Sequence, residues 1–316
     1  MSKRKLQQTK RKVRKGTIVS IFGAALITAG SMQIIQTEAN YRRPRDEYQI
    51  LQAEYLQRSK SEAPKDHSDN LSAPKSSRND STKPVYMLQD SSQQLCNFKE
   101  MYGALPQNAP DAPDVCWTDL KLANSDIVGW IEIPDLNISY PVMQYTDNDF
   151  YLHRSFSKTD CYSGSIFLDY RCDAAFLGYH TVLYGHNMRD GSMFASLKAY
   201  QDPVFQKEHP YFWLLTPDSQ LLYRITAVRI CEADSEQYHV TFCDSHEYKE
   251  WLSSDPIWKQ VQTTMEAAAR MLHLLDTEAR FQPEKLPQIA TLSTCTENGK
   301  KRLLVQGCLI YQRTHR

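Results

Sequence analysis

From Ile127 onward the chain consists of short apolar runs, each closed by a turn signal, and this pattern constrains the fold more than any other feature. Ile127-Val128-Gly129-Trp130-Ile131-Glu132-Ile133 is followed by the turn residues Pro134-Asp135 and then by Ile138 to Met143. Further runs lie at Ser165 to Leu168, His180 to Tyr184, Tyr211 to Leu215, Leu221 to Cys231, Ile289 to Thr294 and Leu303 to Gln312. β-Branched and aromatic residues suit a pleated, half-buried surface, so each run is predicted to be a strand. One helical stretch interrupts them, Ser245 to Leu275, with Trp251, Leu252, Trp258, Val261, Met265 and Met271 among polar positions. Regular alternation of strand and helix would indicate a parallel sheet. Many short strands with one inserted helix predict a mainly β fold, a barrel or a sandwich.

The N-terminal part has a different texture. The first fifteen residues carry Lys3, Arg4, Lys5, Lys10, Arg11, Lys12, Arg14 and Lys15 and no acid. Residues 17–35 are uncharged and long enough to cross a bilayer core as a helix. A basic flank stays in the cytoplasm. The reading is an uncleaved single-pass signal anchor with residues 1–16 as a cytoplasmic tail and the rest of the chain outside the cell membrane. A cleaved signal peptide and a buried core helix are the alternatives. Tyr41 to Ala63 is charged and helix-friendly, with a narrow apolar stripe of Ile50, Leu51, Tyr55 and Leu56, and reads as a solvated helix or stalk. Ala63 to Pro84 nearly lacks large apolar residues and cannot bury enough surface to offset chain ordering, so it reads as a flexible linker. Residues 36–84 are thus stalk and linker, and 85–316 the folded domain. That domain opens with a helical zone, Met87 to Ala123, broken by the Pro-rich stretch Pro106 to Pro113. Lys+Arg and Asp+Glu both number 37, which gives no reason to expect nucleic acid as a partner.

Chemistry concentrates in the C-terminal hairpin. The strand Ile289 to Thr294 leads to Cys295, and Thr296-Glu297-Asn298-Gly299-Lys300-Lys301 follows, with Asn-Gly as a strong turn signal. Arg302 opens the returning strand. An antiparallel hairpin sets Cys295 and Arg302 across from each other at its mouth. A guanidinium beside a thiol favours the thiolate and can hold a developing oxyanion. A third element is Thr181-Val182-Leu183-Tyr184-Gly185-His186-Asn187-Met188, which presents His186 just beyond a strand. A Cys and a His so placed can serve acyl transfer, thiolate as nucleophile and imidazolium as acid. Each residue also has an ordinary role: a small buried thiol, a hydrogen-bonding surface His, an Arg closing a strand.

These segments together resemble a class B sortase. The resemblance rests on Thr291-Leu292-Ser293-Thr294-Cys295, Tyr184-Gly185-His186-Asn187-Met188 and Arg302-Leu303-Leu304-Val305-Gln306-Gly307. It extends to Asn124 through Ile131, Asn137 through Val142 and Ser163 through Tyr170, and so covers roughly residues 120 to 316. It implies an eight-stranded sortase barrel with extra N-terminal helices and a long helix before the last hairpin, in a protein of a Gram-positive cell surface. The implied reaction is transpeptidation at a sorting signal near the C-terminus of a secreted protein. Cys295 would attack the carbonyl of a Thr, His186 would protonate the leaving amine, and an amine of cell-wall peptidoglycan, or of a pilin, would resolve the thioacyl-enzyme. Arg302, with the backbone N–H of Thr296, would stabilise the oxyanion. By match to the family, Asn148, Leu152, Tyr184 and Ser293 would line the substrate groove, and relatives often act on Asn-Pro-Gln-Thr-like signals. Two departures stand out. The loop from Cys295 to Arg302 is short, and Thr296 replaces the acid often found after the cysteine.

The remaining cysteines are Cys96, Cys116, Cys161, Cys172, Cys231, Cys243 and Cys308. With 295 opposite 302, Cys308 falls opposite about 289, roughly 20 Å along the strand and beyond disulfide reach of Cys295. Cys161 with Cys172, and Cys231 with Cys243, could pair locally, but free thiols are the favoured state. No Cys/His spacing suggests zinc, and the visible chemistry calls for no metal or other cofactor. Two other functions would use the same features: a cysteine protease with water as acceptor, and a binding module that keeps the barrel without catalysis.

Overall fold

The computed structural model describes residues 44–57, 105–263, 286–296 and 299–315. The chain divides between Glu47 and Tyr48, and the architecture that follows belongs to Tyr48–Arg316. Residues 48–55 are helical (α1) and lead into β1 (Leu56–Gln57), which pairs with β2 (Asp114–Val115). Helix α2 (Trp117–Ala123) then precedes β3 (Ile127–Ile133), β4 (Ile138–Met143), β5 (Ile166–Leu168) and β6 (His180–Tyr184). A short helix α3 (Pro203–Glu208), capped by the Asp202 side chain, leads to β7 (Tyr211–Leu215) and β8 (Ser219–Cys231). Helices α4 (Ser245–Ser254) and α5 (residues 256–263) precede the final hairpin, β9 (Ile289–Thr296) and β10 (Lys301–Thr314).

The eight strands β3 to β10 close into a barrel in the order β10-β8-β7-β3-β4-β5-β6-β9. Closure removes unpaired strand edges. Six of the eight contacts are antiparallel, while β4 with β5 and β6 with β9 are parallel. The predicted strands are therefore all present, and the mainly β barrel is the fold. The two strands of the last hairpin run further than expected, β9 through Cys295 to Thr296 and β10 from Lys301 to Thr314, so Cys295 joins Arg302 on paired backbone.

Three sequence readings change. The helix expected over Ser245 to Leu275 is broken at Asp255, where Pro256 starts a new helix. The Asp255 carboxylate caps α5, accepting from the backbone N–H of Ile257 at 2.9 Å and Trp258 at 3.4 Å, and it also binds the Arg229 guanidinium. An Asp cap followed by Pro at the first helical position starts a helix; residues beyond 263 of the expected helix lie outside the described ones. Of the helical zone expected over Met87 to Ala123, the described part is helical only in α2, and residue 114 begins a strand. The single-pass membrane anchor is also corrected. Among the described residues no helix is long and apolar enough to cross a membrane. The segment 17–35, like the basic tail and the linker, lies outside the described residues, and the placement of the chain in the cell membrane is withdrawn.

The helix read as a solvated stalk packs through a face other than the expected stripe, of which only Leu51 is buried and Ile50 is exposed. Tyr48 and Leu51 are buried, the Tyr48 ring meets Tyr140 of β4 edge-on at 5.3 Å, and Gln52 donates to the Ser139 carbonyl. Helices α4 and α5 cover the outside of β9: Tyr248, Leu252 and Trp258 form one buried cluster with Ile289, flanked by Trp251 and Val261. Burial of side chains of this size contributes about 1.5–3 kcal/mol each, and here it clamps the strand that carries Cys295.

Candidate active site

The barrel register brings the expected chemical groups together. Strands β6 and β9 run parallel with Tyr184 opposite Ser293, and the Gly185 N–H donates to the Ser293 carbonyl at 3.1 Å. Two residues further along each strand direction come His186 and Cys295. The next residue, Asn187, donates its side-chain N–H to the Cys295 carbonyl at 2.8 Å and ties the His186 loop to β9. On the other side of β9, Cys295 is the register partner of Arg302 in β10, and Arg302 is in turn the partner of Cys231 in β8. Register partners present side chains to the same face of a sheet. The row Cys295, Arg302, Cys231 thus crosses three neighbouring strands, and His186 lies in the loop two residues beyond the end of β6. Side chains alternate along β9, so Cys295 shares its face with Ser293 and Thr291.

Arg302 and His186 are each braced. Arg302 donates from Nη1 to the carbonyls of Gly299 at 2.8 Å and Lys301 at 3.2 Å, so the short turn holds its guanidinium at the hairpin mouth. Gly299 has φ of 86°, the left-handed conformation that the Asn-Gly signal predicted. His186 Nε2 lies 2.9 Å from the Leu152 carbonyl oxygen. A carbonyl only accepts, so Nε2 carries a proton and Nδ1 is the nitrogen left for acid–base work. Burial lowers the His186 pKa, the Leu152 carbonyl opposes the drop, and the charges of His153 and Arg302 add to it. The Tyr162 ring lies nearly parallel to the imidazole, centroids 6.1 Å apart.

The residues expected in the groove divide between two settings. Asn148 and Tyr184 belong to one hydrogen-bonded cluster around Asp169, and Ser293 adjoins it through Tyr238. The Asp169 carboxylate is fully buried and accepts from Tyr184 Oη at 2.9 Å and Asn148 Nδ2 at 3.0 Å. It also accepts from Arg171, through Nε and Nη2 at 2.9 Å each and the backbone N–H at 3.0 Å. Burial alone would raise the Asp169 pKa; the Arg171 and Tyr184 donors outweigh it and hold the carboxyl below the ordinary range. Tyr184 stacks on Tyr238, whose hydroxyl is 2.7 Å from Ser293 Oγ. Leu152 enters differently, through its backbone carbonyl on His186. Asn148 and Leu152 thus sit on one turn but serve different partners, with Asp147 Oδ1 accepting from the N–H groups of Asp149 and Phe150 between them. Thr296 ends β9 opposite Lys301, one residue past Cys295.

Asp169, Arg171 and Tyr238 were not singled out from the sequence. Asp169 lies inside the Ser163 to Tyr170 segment and directly follows an apolar strand, which is a readable signal for a buried acid. Tyr238 sits in a three-residue turn, Glu236–Tyr238, and nothing local marks it. The seven described cysteines, Cys116, Cys161, Cys172, Cys231, Cys243, Cys295 and Cys308, are free thiols, and Cys96 lies outside the described residues. In place of a disulfide, Cys161 Sγ contacts Ser163 Oγ at 2.9 Å.

Comparison with known proteins agrees with the barrel fold. The sortase domain family matches residues 131–310. Sortase B of Listeria monocytogenes is 34% identical over 198 residues, 61% of this chain and 73% of that protein. Sortase B of Staphylococcus aureus is 39% identical over 90 residues, 28% of this chain and 37% of that protein. A crystal structure of sortase B from Bacillus anthracis superposes with a TM-score of 0.50 at 29% identity, covering 70% of this chain and 94% of that one. With the closed eight-stranded barrel, these matches establish that the chain belongs to the sortase family of cysteine transpeptidases, in its class B.

Proposed function

We propose that Cys295, His186 and Arg302 carry the transpeptidation, with the thiolate of Cys295 attacking the carbonyl of a Thr in a C-terminal sorting signal of a secreted protein. The observation that carries this reading is the juxtaposition itself: Arg302 is the register partner of Cys295, and Asn187 ties the His186 loop to the Cys295 carbonyl. The C–N bond after the Thr breaks as the thioester forms, and His186 delivers a proton from Nδ1 to the leaving amine. The same nitrogen then takes a proton from the incoming amine, which attacks the thioester, breaks the C–S bond and regenerates the thiolate. Arg302, with the Thr296 backbone N–H, stabilises the oxyanion in both steps. The acceptor is an amine of cell-wall peptidoglycan or of a pilin, and Asn148, Leu152, Tyr184, Ser293 and Thr296 border the groove for the signal peptide.

The test is product analysis. The protein is incubated with a pool of Thr-containing sorting peptides, with and without an added glycyl amine. A new peptide joined to the amine through Thr is the expected product. Release of the free acid alone, unchanged by amine, would assign the site to hydrolysis.

A further inference from the structure

The Leu152 carbonyl that holds His186 is itself held by a junction of three chain segments, and neither the family match nor the catalytic row accounts for it. Gly164 has φ of +54°, and a Cβ there would lie 2.5 Å from the Leu152 oxygen, 2.7 Å from the Tyr151 oxygen and 2.8 Å from the Leu152 carbonyl carbon. All three are backbone atoms, so no flexible side chain can swing aside. The approach is fixed from both sides: the Ser165 N–H donates to the Tyr151 carbonyl at 2.9 Å and the Cys161 N–H to the His153 carbonyl at 2.9 Å. Helix α1 completes the junction. The buried Tyr48 hydroxyl is 3.1 Å from the Gly164 carbonyl oxygen and 2.9 Å from Ser165 Oγ, and Ser165 Oγ donates to the Arg154 carbonyl at 2.7 Å.

We infer that Gly164 and Tyr48 are positioning residues for His186: the absent side chain at 164 and the Tyr48 hydroxyl set the Leu152 carbonyl where it fixes the Nε2–H tautomer and the ring orientation. The inference rests on the reading of His186 as the proton carrier. The hydrogen bond to one ring nitrogen decides which nitrogen is left to exchange protons. A shift of the carbonyl by a few tenths of an ångström or more releases the ring and lets both tautomers populate. An ordinary turn glycine, needed for its φ alone, would have no such effect on a histidine in another segment. Gly191 supplies that comparison, since its φ is +84° and a Cβ there meets nothing within 4 Å.

The experiment compares the full chain with its Gly164→Ala, Tyr48→Phe and Gly191→Ala variants. Each is labelled with 15N-histidine, and the His186 resonances are assigned by their loss in His186→Gln. The wild type is expected to show Nε2 protonated and Nδ1 bare at high pH. Gly164→Ala should average the two nitrogens, move the His186 titration to lower pH, and reduce kcat for the most active peptide of the transfer assay by about 10²-fold, with KM little changed. Tyr48→Phe, which keeps the turn and removes one hydroxyl, should show the same signs at smaller amplitude. Gly191→Ala should keep the wild-type tautomer and rate. Wild-type His186 shifts in Tyr48→Phe, or equal losses in Gly191→Ala and Gly164→Ala, would overturn the inference, and the Tyr48→Phe arm stands if Gly164→Ala does not fold. Averaged nitrogens with an unchanged transfer rate would keep the junction and overturn the role of His186 instead.

Discussion

Acid should weaken this protein through His180 before it reaches the carboxylates. The His180 side chain is buried, its Nδ1 donates to the His239 carbonyl at 2.7 Å, and its Nε2 therefore accepts from the Thr291 hydroxyl at 2.8 Å. Thr291 Oγ1 in turn accepts from Gln306 Nε2 at 3.0 Å, and Trp251 covers the ring at 5.1 Å. A second ring proton would meet the Thr291 oxygen and place a charge among apolar neighbours. Burial drives the pKa from 6.5 to about 4; the His239 carbonyl and Asp169 pull it up, and the His239 charge pushes it down. The folded pKa is below the unfolded one, so the unfolded chain binds more protons between the two values. The stabilisation is complete above about pH 6.5 and is lost as the pH falls toward 4, at about 1.4 kcal/mol per pH unit, which gives about 2 kcal/mol by pH 5 and about 3 kcal/mol by pH 4. Asp169, held below the ordinary carboxylate range, loses its contribution only at still lower pH. Urea denaturation of the wild type and His180→Gln at pH 7.5, 5 and 4 isolates the effect, because every other titrating group is common to both. The advantage of the wild type should shrink by about 3 kcal/mol across that range. Parallel loss in the two proteins would refute the reasoning. The functional consequence is local: His180 pins residue 239, next to Tyr238 and its contact with Ser293.

Two further outcomes follow from the same geometry. Asp169→Asn removes the charge on which Arg171, Tyr184 and Asn148 converge; it should cost about 2–3 kcal/mol in urea denaturation and raise KM for the sorting peptide more than it lowers kcat, and an unchanged KM would argue against a groove at this cluster. Burial pushes the Cys172 and Cys308 thiols up to about 12. Iodoacetamide at pH 8 should therefore leave both unmodified while it labels the half-exposed Cys295, as read by peptide mass, and labelling of Cys308 at the rate of the exposed Cys243 would contradict the burial.

The parts of the site legible in the sequence were those set by local pairing. An Asn-Gly turn fixes hairpin register, so the opposition of Cys295 and Arg302 could be computed, and Cys308 does fall opposite Ile289. The parallel pairing of β6 with β9, which brings His186 alongside, could not be read, because nothing local links strands so far apart in the chain. The break at Asp255-Pro256 was visible as a cap signal but was overridden by apolar spacing that continues through Trp258. In α1 the stripe containing Leu51 was recognised, yet Tyr48 lay outside it, and only the fold supplies Tyr140 and Gly164 as the partners of Tyr48. Leu152 illustrates a different limit. The family resemblance suggested it for the groove, while its contact with His186 is made by a carbonyl that every residue type possesses.

The most direct test of the account is the intact mass of the full chain after brief exposure to the peptide pool, beside Cys295→Ala. The account predicts a mass increase equal to the peptide up to its Thr, on the wild type alone, discharged by added glycyl amine as the joined product. An adduct of the same mass on Cys295→Ala, or none on the wild type although an active-site thiol reagent modifies Cys295, would contradict it.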